Sequence, residues 1–126
     1  VERWHAYMHS NADPDLLQAM LAEDAVFHSP VVHSPQEGKA KVMLYLLSAA
    51  KVLGNDTFRY VREIIDGNDA CLEFIAEIDG ITINGIDLIR FDDAGNISDF
   101  KVMVRPVKAV NKLWELMAAQ LQVAQG

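Results

Sequence analysis

From Phe58 to Arg105 the chain alternates with a period of two, and no other feature constrains its fold as strongly. Successive side chains leave a strand on opposite sides, so apolar and polar residues in alternation mark strands with one buried face. Such runs span about 57–65, 70–79, 81–92 and 97–105, and they are divided by Asp66-Gly67, Asp79-Gly80 and Asp92-Asp93-Ala94-Gly95. Aspartate followed by glycine supplies the positive φ that tight hairpin turns require. An antiparallel meander is the expected result.

On both sides of this stretch the spacing is helical. Val1, Trp4, His5 and Met8 share a face, which predicts a helix over about 2–11. Asp13 as N-cap and Pro14 at the first helical position restart a helix that runs to about Ala22. A short strand over 25–29 closes at Pro30. Ser34-Pro35-Gln36-Glu37 reads as a capping box. The helix it should open carries Val42, Met43, Leu46, Leu47 and Ala50 and stops at Gly54. Residues 107–122 return to helical spacing through Val107, Val110, Trp114, Met117 and Leu121. Helices followed by a long meander give an α+β class: one domain over 1–126, cone-shaped, with N-terminal helices on a curved antiparallel sheet and a C-terminal helix. An apolar pocket between sheet and helices is the usual ligand site in such a cone.

Composition excludes several functions. With 51% hydrophobic and 23% charged residues the chain suits a packed globule and not a disordered one. Its apolar runs fall far short of the roughly 20 residues of a membrane span. Eighteen Asp and Glu against 11 Lys and Arg leave a net charge of −7, which repels a phosphate backbone, so neither nucleic acid nor membrane is expected as a partner. Cys71 is the single cysteine, so no intramolecular disulfide or thiolate zinc site is available. No charged head with a following apolar run opens the sequence, and the expected compartment is cytoplasmic. No cofactor motif is present.

Alternation also assigns faces. Leu72, Phe74, Ala76 and Ile78 share the inward face of one strand; Phe100, Val102 and Val104 share that of another. Between them in sequence, Ile83, Gly85, Asp87, Ile89 and Phe91 fall together. Asp87 is therefore the one carboxylate on an otherwise apolar face, and it is the most informative residue in the chain. Burial raises a carboxyl pKa, so Asp87 is a candidate acid, base or hydrogen-bond donor at the pocket floor. The alternative is a core aspartate satisfied by its neighbours.

Two stretches carry a family likeness: Leu21-Ala22-Glu23-Asp24-Ala25-Val26-Phe27-His28-Ser29-Pro30, with Gly38 beyond it, and Ile86-Asp87-Leu88-Ile89-Arg90-Phe91-Asp92-Asp93-Ala94-Gly95-Asn96-Ile97. With the order of elements, they make the chain similar to the nuclear-transport-factor-2-like superfamily, which includes SnoaL-like polyketide cyclases and ketosteroid isomerases. The resemblance implies the cone fold over nearly the whole chain. It also implies that Asp87 matches the protonated aspartate that donates to a developing oxyanion in ketosteroid isomerases. Two positions depart from that pattern. The general base of those enzymes is an aspartate just before a proline, where this chain has Ser29; their tyrosine on the first helix falls, without gaps, on His5.

Candidate catalytic residues are therefore Asp87 and His5, the latter as an acid or base near neutral pH or as a wet histidine at the helix edge. Ser29 is a candidate for orienting a ligand or water, or a strand-end hydroxyl bound to backbone. Trp4, Phe27 and Phe74 are expected to line the pocket, with Gly85, Ile89 and Val102. Gly85 removes a side chain from that face and would widen the cavity, or marks a bulge. His28 and His33 fit no compact ligand spacing, so no metal is expected. On the opposite sheet face, Ile75, Ile86, Leu88 and Met103 cluster beside Glu73, Glu77, Lys101 and Arg105, which predicts a homodimer. Two functions remain open: acid/base catalysis on an apolar, carbonyl-bearing molecule (an isomerase, cyclase or related lyase), or non-catalytic binding of an apolar small molecule.

Overall fold

The computed structural model describes residues 1–125. Its elements are α1 (Glu2–His9), α2 (Pro14–Met20), β1 (Leu21–His28), β2 (Gln36–Glu37), α3 (Lys39–Leu53), β3 (Arg59–Asp66), β4 (Asp69–Ile78), β5 (Ile81–Phe91), β6 (Ile97–Arg105) and α4 (Val107–Gln125). The meander is present, with β3, β4, β5 and β6 each antiparallel to the next. Its turns follow their sequence. Asp79 and Gly80 both take positive φ, 52° and 77°, as a type I′ hairpin needs. Asp92 holds the β5–β6 turn by accepting from the amides of Ala94 and Asn96.

The α+β architecture with its curved sheet and C-terminal helix stands, and β1 adds a parallel pairing to it. The strand order is β2-β1-β6-β5-β4-β3, and β1 runs parallel to β6 with Phe27 opposite Phe100. No hairpin joins these strands; α3 and the whole meander lie between them, so nothing local forces them antiparallel. β1 also begins at Leu21, four residues earlier than the alternation suggests, directly after α2.

The capping box at Ser34–Glu37 does not form. Gln36 and Glu37 pair instead with Phe27 and Val26 as the edge strand β2. Their backbone is therefore extended, and α3 starts only at Lys39. Its N-cap is Gly38, at a φ of 98° and with no side-chain cap. The Gly38 amide is spent on the Ala25 carbonyl at 2.9 Å.

The inner sheet face meets the helices in two packed groups. One gathers Trp4 and Tyr7 of α1, Leu17 and Met20 of α2, Val42 and Leu46 of α3, and Phe27, Leu72, Ile89 and Phe100 of the sheet. The other joins Phe74 and Ile83 to Ala109 and Leu113 of α4. Each fully buried large apolar side chain contributes about 1.5–3 kcal/mol. On the outer face Ile75, Ile86 and Leu88 are half-buried and Met103 is exposed. Among the described residues no helix is long and apolar enough to cross a membrane.

Candidate functional site

Between the two packed groups lies a cavity of about 120 Å³. Its floor is the inner face of the sheet, with Phe74, Asp87, Phe100 and Val102; α1 supplies Trp4, Tyr7 and Met8; Leu53 of α3 and Leu113 and Met117 of α4 line it from above. Phe27 and Ser29, at the end of β1, complete one side.

Asp87 sits in mid β5, paired with Leu72 on one side and Val102 on the other. It is only 7% exposed. The Tyr60 hydroxyl donates to its Oδ2 at 2.6 Å, and the Trp4 indole Nε1 donates in turn to the Tyr60 oxygen at 2.8 Å. A short relay thus runs from α1 through the edge strand to the carboxyl. Oδ1 has no hydrogen-bond partner among the described residues and is left to the cavity. Burial pushes the Asp87 carboxyl up to about 7, and the bond from Tyr60 pulls it back only in part. Tyr60 rises well above the usual phenol range, by burial first and then by the adjacent Asp87 charge. It therefore stays a donor at neutral pH.

Tyr7 is a polar group of the cavity wall that no motif marked. Burial raises its phenol to about 12, and its hydroxyl is enclosed without a partner. Trp4, Tyr7 and Met8 line the cavity from the i, i+3 and i+4 positions of α1, a helical stripe. That stripe is the signal that could have found Tyr7.

The structure brings together Asp87, Ser29, Trp4, Phe27, Phe74 and Val102 around the cavity, and it leaves three expected residues outside. His5 lies off the stripe. Its Nε2 meets Glu63 Oε1 of β3 at 2.5 Å, with a third of the side chain exposed, and its ring stands edge-on to Tyr60. Ile89 belongs to the packed core beside Leu72 and Ala70. Gly85 opens no space, because the Phe74 ring fills it: a Cβ there would come within 2.5 Å of Phe74 Cζ and 2.7 Å of the Met103 carbonyl oxygen. Ser29 accepts the Val31 amide at 3.1 Å, which leaves its hydroxyl proton free to donate. His28, on the outer face, pairs with Asp99 at 2.9 Å. No group of three His, Cys, Asp or Glu among the described residues is arranged to hold a metal.

A cone of helices on a curved sheet, with a single buried carboxyl in its apolar cavity, defines a class of small pocket proteins. The chain belongs to the SnoaL-like family within the nuclear-transport-factor-2-like superfamily: the family model described as a SnoaL-like domain matches residues 1–100. Among solved structures, a steroid delta-isomerase from Pseudomonas aeruginosa is 39% identical, with a TM-score of 0.90 over 97% of this chain and 88% of that one. An uncharacterized bacterial protein with a cystatin-like fold, from Silicibacter pomeroyi, is 32% identical at a TM-score of 0.84, covering 94% of this chain and 84% of that one. A de novo designed protein with a curved β-sheet shares the fold alone, at 18% identity and a TM-score of 0.68 over 91% and 97% of the two chains. No curated protein matches the chain.

Proposed function

We propose that this protein is an enzyme that shifts a proton within an apolar, carbonyl-bearing small molecule, with Asp87 taking and returning the proton. The observation that carries this reading is the carboxyl itself, buried in an apolar cavity with Oδ2 held by Tyr60 and Oδ1 free. A group that titrates at about 7 is divided between its acid and base forms at neutral pH, which suits proton transfer in both directions. The 39% identity to a steroid delta-isomerase supports the same class of reaction.

In the forward step ionised Oδ1 takes a proton from the carbon next to the substrate carbonyl. The C–H electron pair moves into the carbonyl system and leaves an enolate oxygen. The Asp87 acid then returns the proton at the far end of the conjugated system, and the double bond has moved. Tyr60 fixes the carboxylate so that one oxygen serves both steps, and the Ser29 hydroxyl is free to donate to the enolate oxygen. His5 has no part in this scheme, because its ring is held by Glu63 outside the cavity lining.

One observation favours the alternative of a non-catalytic binding module. Ser29 occupies the place where the resemblance expects the aspartate before a proline, so Asp87 is the one carboxylate on the cavity wall. A neutral Asp87 would then only donate to a ligand carbonyl. Proton exchange separates the two. With a ketone in deuterated water, the wild type is expected to incorporate deuterium next to the carbonyl, and Asp87→Asn to lose that rate at least about 100-fold while still binding. Because the base form acts, the rate should rise with pH and level off above about 7. Saturable binding without exchange leaves the binding module; a rate that falls with pH makes Asp87 the oxyanion donor instead. We also propose that two copies associate through the outer sheet face.

A further inference from the structure

We infer that the cavity is built for a single-ring ketone and excludes fused polycyclic ones, an inference that rests on the proton-shift reading above and narrows its substrate. The first argument is volume. The cavity measures about 120 Å³, whereas a buried apolar cavity of about 150 Å³ takes one benzene ring and pockets for larger ligands run to roughly 300–1,000 Å³. Four fused rings need several times this space, so most of such a molecule would have to stand outside the cavity.

The second argument is what occupies the remaining room. Rings already fill the walls. Phe58 stacks on Phe74 with centroids 5.2 Å apart and stands edge-on to Tyr60 at the same distance. Trp4 packs against Phe100 at 4.9 Å on the other side. Phe74 in turn is seated on Gly85 with no slack behind it, so the wall cannot retreat by moving that ring. The upper boundary is formed by Leu113 and Met117 of α4, which lies beyond the residues 1–100 that the family model matches. The limit on size is thus set by this chain's own aromatic side chains and its last helix. The apolar slot between those rings suits a flat six-membered ring, and the free Oδ1 of Asp87 gives the ring's acidic C–H its only carboxylate partner.

Calorimetric titration of the intact protein with 2-cyclohexen-1-one, a flat one-ring enone, and with 5-androstene-3,17-dione, a four-ring ketone, tests this. The expected result is saturable binding of cyclohexenone and none of the steroid up to its solubility limit. Phe58→Ala, which removes one ring from the wall, should weaken cyclohexenone at least tenfold, and the gentler Phe58→Leu should weaken it in the same direction if the alanine variant fails to fold. Binding of the steroid by the wild type overturns the size limit and leaves the proton-shift reading standing. Binding of neither compound overturns both. A Phe58 variant that folds but binds cyclohexenone as the wild type does removes the aromatic wall as the cause.

Discussion

The buried site of Asp87 favours its protonated form, and this ties the fold to pH. Its carboxyl titrates at about 7 in the folded chain against an ordinary 3.8, chiefly because it is buried. A group whose folded pKa is raised contributes stability that is fully present below the ordinary value and is lost as pH rises through the folded one. Over the interval from about pH 5 to about pH 8 the loss amounts to about 3 kcal/mol. Asp87→Asn has nothing to titrate there, so urea denaturation should show the variant gaining on the wild type by that amount across the interval. A constant difference would mean that Asp87 keeps an ordinary pKa. Tyr7 presents the opposite case, a hydroxyl that never ionises and has no partner. An enclosed unpaired donor costs about 1–3 kcal/mol. Tyr7→Phe is therefore expected to raise the stability of the free protein by about 1 kcal/mol, and a clear destabilisation would reveal a partner that the hydroxyl does have.

At the scale of elements, the meander was legible because its alternation is long and its turns are marked by Asp-Gly. Once β5 was placed, the inward position of Asp87 followed from parity alone, and so did the outward positions of Ile86 and Leu88. Other elements were less readable for specific reasons. α1 has only eight residues, too short for its stripe to be fixed to better than one position, so spacing alone sets His5 on the face that Tyr7 occupies. The partner of Asp87 was missed because Tyr60 lies on the edge strand β3, whose register slips between Tyr60 and Arg62 and whose other residues are exposed. The bulge and the exposure of nearly all of β3 break the alternation that the sequence suggests there. Gly85 could be placed on the inward face, but that the Phe74 ring occupies its space depends on the pairing of Phe74 with Gly85 across two strands. The parallel pairing of β1 with β6 and the edge strand β2 are long-range choices, and in Ser34–Glu37 the local capping signal lost to the free edge of β1.

For the whole molecule, what remains uncovered is the outer sheet face. The register sets Ile64, Cys71, Leu88 and Lys101 in one row across four strands and Arg62, Glu73, Ile86 and Met103 in the next. Ile64 is 57% exposed and Met103 45%, so the apolar centre of this face meets water in the single chain. Charges surround it, among them the Arg62–Glu73 pair at 3.3 Å. An apolar centre with a charged rim is the anatomy of an interface, and a two-fold axis lets one such face complement itself. Light scattering at micromolar concentration should give twice the mass of one chain, and Met103→Glu or Leu88→Lys should give the mass of one. A monomeric wild type rejects the dimer outright. Asp87 and Leu88 are adjacent but point to opposite sides of β5, so the monomeric variants should bind ligand in the cavity as the wild type does. If monomerisation instead abolished ligand binding, β5 would be coupling the two faces, and the dimer would be part of the site.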